Sequence, residues 1–112
     1  MSDLSSQQCK ACEGGVSALT QEESERYLKK LAADWTLSDD AKSIFRTYSF
    51  NNYYETVSFV NVAAMVAHQQ DHHPDMTFAY KTCRIEYSTH SIGGLSENDF
   101  ICAAKTDKTL SL

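Results

Sequence analysis

AHQQDHHPDMTFAYKTCRIEYSTHSIGG (residues 67–94) is the stretch whose reading decides the fold. Pro74 disfavours helical geometry at His73, so a helix arriving from the N-terminal side ends just before the His72-His73 pair. Beyond the proline the period changes. Thr77 to Thr89 reads as strand, with Phe78 and Tyr80 on one phase and Cys83, Ile85 and Tyr87 on the other. The phase change predicts two strands, or one strand with a bulge. The turn near Lys81-Thr82 lacks typical turn residues and fixes no boundary. Gly93-Gly94 breaks the strand.

Upstream of this stretch, Asn51-Asn52 offers an N-cap, with Glu55 at the third helical position if Asn52 is the cap, opening a helix that reaches Gln70. Its middle (Val57, Phe59, Val60, Val62, Ala63, Ala64, Met65, Val66, Ala67) has no clean polar face. A helix apolar nearly all round is covered on more than one side, and in a small domain one sheet covers only one. The sequence therefore predicts a homo-oligomer. Further upstream, Ile44 to Phe50 alternates as a β-strand and pairs with a shorter one, Trp35 to Ser38, through the polar turn Asp39-Asp40-Ala41-Lys42. Thr20-Gln21-Glu22-Glu23 is a capping box for a first helix that carries Tyr27, Leu28, Leu31 and Ala32 on one face and runs to about Ala33.

Downstream, Ser96 caps a final helix with Asp99 three residues on, and Leu95 and Phe100 are placed as a hydrophobic staple. The order is α-β-β-α-β-β-α. Short connections make neighbouring strands antiparallel, which predicts an α+β, two-layer fold: a four-stranded antiparallel sheet with three helices packed on one face. Residues 1–18, with Gly14-Gly15, read as a flexible leader, and residues 19–112 as a single domain.

The chain has 112 residues, a length for one domain. Hydrophobic residues are 42%, aromatics 11% and charged residues 22%, with 4 glycines and 1 proline, which argues against disorder and low complexity. No apolar run is long enough for a membrane span. A formal charge of −5 argues against direct nucleic-acid binding. Four cysteines (Cys9, Cys12, Cys83, Cys102) with no apolar leader suggest a reduced, cytoplasmic protein with free thiols. Cys9-x-x-Cys12 has the spacing of half a zinc site or a redox pair, but in its polar, Gly-containing setting it reads as two exposed thiols.

All 4 histidines (His68, His72, His73, His90) fall within residues 68–90. Adjacent residues in extended geometry point in opposite directions, so His72 and His73 have different jobs. A hairpin after Pro74 would return His90 toward His72. Three imidazoles at one cleft suit proton transfer near neutral pH, and Asp71 and Asp99 could fix tautomers or raise imidazole pKa values. His68, between polar neighbours, reads as a solvated residue. The competing reading is a metal site, since His68 and His72 are at i, i+4 and His73 or His90 could complete it.

The motifs Asp71-His72-His73-Pro74-Asp75, Tyr80, Ser88-Thr89-His90 and Gly94-Leu95-Ser96-Glu97-x-Asp99, with Trp35 and the Ile44-Phe45 strand, resemble the pterin-4a-carbinolamine (4a-hydroxytetrahydrobiopterin) dehydratase family. The resemblance is gapless from about Ala67 to Asp99 and weaker from about Cys9 to the C-terminus, including a Cys-x-x-Cys leader seen in some bacterial members. It implies a hydro-lyase that removes water from a 4a-hydroxy-tetrahydropterin to give quinonoid dihydropterin, recycling the cofactor of aromatic amino acid hydroxylases without a metal or organic cofactor of its own. It implies His72 and His90 as acids toward hydroxyls on the two ring faces, and His73 as the residue that binds and orients the pterin. Asp71 and Asp99 would be supports, and Pro74, Ser88 and Thr89 part of the binding pocket. A homodimer or homotetramer is expected. Two departures stand out: His68 where the family often has Glu, and Met76 where it often has Trp or another large apolar residue. The alternatives are a non-enzymatic oligomeric interaction or coactivator module, as in animal members, and a histidine metal-binding protein.

Overall fold

Backbone alternation and capping place every element. In a computed structural model that describes residues 4–10 and 17–111, the order is α1 (Gln21–Leu28), β1 (Thr36–Leu37), β2 (Ile44–Ser49), α2 (Tyr53–Gln70), β3 (Asp75–Phe78), β4 (Thr82–Tyr87) and α3 (Glu97–Lys108). Single 3-10 turns lie at Leu4–Ser6, His90–Ile92 and Thr109–Ser111. The sheet runs β1-β2-β4-β3, antiparallel throughout. This is the α+β architecture expected from the period changes.

Register sorts the two faces. Ile44 pairs with Tyr87 and Tyr48 with Cys83, while Ile85 lies between Arg46 and Met76. Ile44, Tyr48, Cys83, Ile85 and Tyr87 are buried under the helices with Trp35, Phe59, Ala63, Leu95, Phe100 and Ile101. The opposite face carries Phe45, Thr47, Arg84 and Glu86. There the Arg84 guanidinium lies 4.3 Å over the Phe45 ring and donates to Glu86. One charged pair sits on the helix-facing side: Asp107 of α3 accepts from Trp35 Nε1 (2.8 Å), Arg46 (2.8 Å) and the Tyr48 hydroxyl.

The caps explain the boundaries. Thr20 and Glu23 form a reciprocal capping box on α1, and Asn52 accepts from Glu55 N to open α2. α1 ends at Leu28 rather than near Ala33. The N–H groups of Lys30 and Leu31 turn back to Tyr27 and Leu28, the tight i→i−3 bonds that close a helix. At the end of α2, Asp71 adopts the left-handed conformation (φ 52°) and His72 N donates five residues back to Ala67 O, a Schellman-type stop.

The β3–β4 turn, unreadable from its residues, is held from outside. Phe50 N donates to Lys81 O, and the buried Thr56 hydroxyl lies 3.0 Å from Tyr80 O. Residues 4–10, assigned to the leader by the sequence, lie against α3: Leu4 is buried and Lys105 Nζ donates to Ser5 O. Cys12 and Gly14-Gly15 lie outside the described residues. Among the described residues, no helix is long and apolar enough to cross a membrane.

Candidate active site

Three chain segments converge at the C-terminal end of α2. The first is the α2 exit (Gln70–His73), the second the loop after β4 (Ser88–Ser91), the third the start of α3. They enclose a cleft of about 420 Å³ lined by Asp71, His72, His73, Ser88, Thr89 and His90, together with Cys9, Lys10, Gln70, Ser91 and Asn98. This volume falls within the roughly 300–1,000 Å³ usual for small-molecule sites.

His72 is the fixed member. Its Nε2 lies 2.6 Å from Asp99 Oδ1, and its ring lies parallel to the buried Tyr87 ring (centroids 6.1 Å apart, 9° between planes). Asp99 is fully buried at the third position of α3. Its other oxygen accepts from Ser96 N (3.0 Å), closing the capping box, and from the Thr89 hydroxyl (2.8 Å). Burial disfavours a charged His72 ring, but the hydrogen bond and charge of Asp99, helped by Cys9 and Asp71, outweigh it and hold the imidazole pKa above its ordinary value.

His73 and His90 are exposed on the cleft wall. His90 opens the turn between Thr89 and Gly94, whose backbones pair in both directions. Gly93 takes the left-handed conformation there (φ 66°), and Gly94 packs so close to Ala18 that an added Cβ would stand 2.8 Å from it. The two adjacent histidines thus differ: His72 is partly buried against a carboxylate, and His73 is open.

Of the site residues expected from sequence, Asp71, His72, His73, Ser88, Thr89 and His90 line the cleft. Asp99 lies behind His72. Pro74 is buried and faces an adjoining hollow shared with His68, His72, His73 and Met76. His68 is exposed on the last turn of α2. α2 stops at Gln70 and Asp71 turns left-handed, so His72 lies beyond the helix that carries His68, although both line the adjoining hollow. Among the described residues, no group of three or more His, Cys, Asp or Glu side chains is arranged to hold a metal ion.

Sequence reasoning missed the wall made by Cys9 and Lys10. Asn98 accepts from Lys10 N (3.0 Å) and donates to Lys10 O, and Gln70 Oε1 accepts from Cys9 N (2.9 Å). Cys9, expected as an exposed thiol, is half-buried with its Sγ 3.4 Å from Cys102 Sγ. These contacts span 61 to 93 residues, so no local pattern announces them.

Comparisons with known proteins converge. The family model described as Pterin 4 alpha carbinolamine dehydratase matches residues 17–109. A protein of Nitrosomonas eutropha is 59% identical over 96% of this chain and 94% of its own, and one of Nitrosomonas europaea is 59% identical over 94% and 91%. Both are named provisionally as pterin-4-alpha-carbinolamine dehydratases. Among solved structures, a transcriptional coactivator/pterin dehydratase from Brucella melitensis superposes with a TM-score of 0.76 at 30% identity, covering 82% of this chain and 97% of that one. A pterin dehydratase-like protein described as a RuBisCO assembly factor in the alpha-carboxysome shares the fold (TM-score 0.58, 20% identity, 67% and 87% coverage).

Proposed function

The chain belongs to the pterin-4a-carbinolamine dehydratase family, and from that premise we propose that it is a hydro-lyase converting 4a-hydroxytetrahydrobiopterin to quinonoid dihydropterin and water, with histidines as the acid–base groups. The observation that carries the proposal is the meeting of His72, His73 and His90 at one cleft, with His72 tied to a fully buried carboxylate.

The chemistry needs two proton movements. The 4a-hydroxyl leaves as water only when it receives a proton, and N5 loses its proton as the C4a–N5 double bond forms. With Asp99 accepting from Nε2–H, His72 has Nδ1 left to exchange a proton, and its raised pKa keeps the ring charged nearer neutral pH. His90, on the opposite segment, serves the hydroxyl on the other ring face. His73 binds and orients the pterin. Asp99 and Asp71 support His72, while Pro74, Ser88 and Thr89 shape the pocket. Each positioned acid–base group typically supplies about 10²–10⁴-fold. The product would return to the tetrahydropterin pool of aromatic amino acid hydroxylases in the cytoplasm.

A homodimer or homotetramer completes the proposal. α2 buries Thr56, Phe59, Ala63 and Ala67 but leaves Tyr54, Val62 and Met65 exposed beside a groove of about 810 Å³. That is the apolar surface a second copy would cover.

The deciding experiment is a dehydration assay on synthetic 4a-hydroxytetrahydropterin with wild type beside His73→Ala. Turnover by wild type and a loss of at least about 10²-fold in the variant are expected. Full activity in a folded His73→Ala protein overturns the assignment of the site. No turnover by folded wild type turns the reading to an interaction module.

A further inference from the structure

Beside the acid–base groups lies a thiol pair they do not use. Cys9 Sγ and Cys102 Sγ are in contact at 3.4 Å, so a disulfide of ~2.05 Å requires them to close by about 1.4 Å. Cys9 is half-buried and lines the cleft, while Cys102 is fully buried on α3, its Sγ 3.9 Å from His72 O. Cys9 belongs to neither helix nor strand. Gln70 and Asn98 hold its neighbourhood through their side chains, and Cys9 Sγ also lies 3.7 Å from the backbone carbonyl of Asn98, so no sheet or helix hydrogen bond of Cys9 stands in the way of closure.

The two sulfurs also differ in character. The Cys102 hydrogen bond, with His72 and Lys105 nearby, holds the Cys9 thiol below its ordinary pKa against the opposing effect of burial. The Cys9 interaction and burial push Cys102 up. The accessible sulfur is thus the more anionic, and the sheltered one keeps its proton. A thiolate is the species that reacts with peroxides, and an adjacent thiol resolves the product.

We propose that Cys9 and Cys102 form a peroxide-sensitive oxidation site whose disulfide ties the N-terminal segment to α3 beside His72. In the first step the Cys9 thiolate attacks a hydroperoxide. The S–O bond forms, the O–O bond breaks, and the leaving alkoxide or hydroxide takes a proton from solvent, leaving Cys9 as sulfenic acid. In the second step the Cys102 sulfur attacks Cys9. The S–S bond forms, the S–O bond breaks, and hydroxide departs with the Cys102 proton as water. Two thiols are oxidised and one peroxide is reduced. A thiol reductant reverses the bond, as a transient disulfide in a reducing compartment requires. The disulfide also removes the ionisable Cys9 thiol from beside His72. The oxidation site stands without the dehydratase reading, which concerns only the consequence for turnover.

The test uses the reduced full-length chain treated with one equivalent of hydrogen peroxide, alkylated, digested without reductant and mapped by mass spectrometry. A linked Cys9–Cys102 peptide lighter by two hydrogens is expected, with Cys83, fully buried on β4, left as thiol. A Cys9–Cys12 link with Cys102 free, bonds only between chains, or no bond overturns the proposal. In Cys102→Ser, dimedone should trap Cys9 sulfenic acid at least about tenfold more than in wild type, and equal trapping counts against a resolving role for Cys102. The His72 imidazole, followed by NMR, should titrate at lower pH in the oxidised protein. An unmoved titration refutes the link to His72.

Discussion

Asp99 Oδ1 lies 2.6 Å from His72 Nε2, while the other oxygen of the same buried carboxylate caps α3 through Ser96 N. One side chain therefore closes a helix and orients the imidazole proposed as an acid. Replacing it should have separable effects. Asp99→Asn keeps an oxygen acceptor but loses the charge, so the assay should show kcat reduced about 10²-fold with the fold retained. Asp99→Ala also strips acceptors from Thr89 and Ser96, and urea unfolding should show a loss of about 1–3 kcal/mol. Unchanged kcat in Asp99→Asn would remove His72 from the mechanism.

The pH dependence follows from the direction of the His72 shift. A ring whose folded pKa stands above its unfolded value of about 6.5 stabilises the native state fully below that pH. That contribution is lost as pH rises through the folded pKa. NMR titration of wild type should find His72 above about 6.5, and Asp99→Asn should lower it. If His72 delivers the proton to the leaving hydroxyl, kcat should fall on the alkaline side at the same raised pKa. A His72 titration at or below the ordinary value contradicts the Asp99 pairing.

Gly93 and Gly94 should respond to alanine for different reasons. Gly93→Ala meets open space but carries a side chain at φ 66°, a backbone cost of about 1–2 kcal/mol. Gly93→Asn should recover part of it, because Asn tolerates that region. Gly94→Ala instead drives a Cβ to 2.8 Å from Ala18, a clash of about 1–3 kcal/mol that Asn cannot relieve. Thermal melts of Gly93→Asn and Gly94→Asn separate the two. Equal losses in both pairs contradict the distinction.

Asp107 should be a large structural contributor away from the cleft. Asp107→Ala leaves Trp35 Nε1, the Tyr48 hydroxyl and Arg46 without their common acceptor. The expected loss is about 2–4 kcal/mol in urea unfolding, with dehydration per folded molecule unchanged. A loss below about 0.5 kcal/mol, the range of an ordinary surface change, rejects the account.

If α2 is the contact between copies, Val62→Asp with Met65→Asp should lower the oligomeric state in light scattering. The isolated fold should survive, because both side chains are exposed. An unchanged oligomer places the contact elsewhere.

Much of this arrangement was legible because it is local. Thr20–Glu23, Asn52–Glu55 and Ser96–Asp99 are short capping patterns, and each sits at a helix start. Pro74 marked the end of α2 to within a few residues. The β3–β4 turn was not legible, because Thr56 and Phe50 hold it and neither belongs to the turn. α1 stopped early because i→i−3 bonds closed it, a choice its residue types do not announce. At the site, the histidines stood out by clustering. Cys9 and Asn98 did not, because each acquires meaning only from a partner 88 to 93 residues away.

That separation has a consequence for synthesis. A chain made only as far as α2 lacks both adjacent histidines, and one that has passed Pro74 holds both imidazoles but no acceptor for either. The carboxylate that orients His72 comes 27 residues later, and the thiol that meets Cys9 comes after it. The segment around Cys9 and the start of α3 must meet before the cleft has all its walls, so a newborn chain cannot assemble the cleft until α3 has been made.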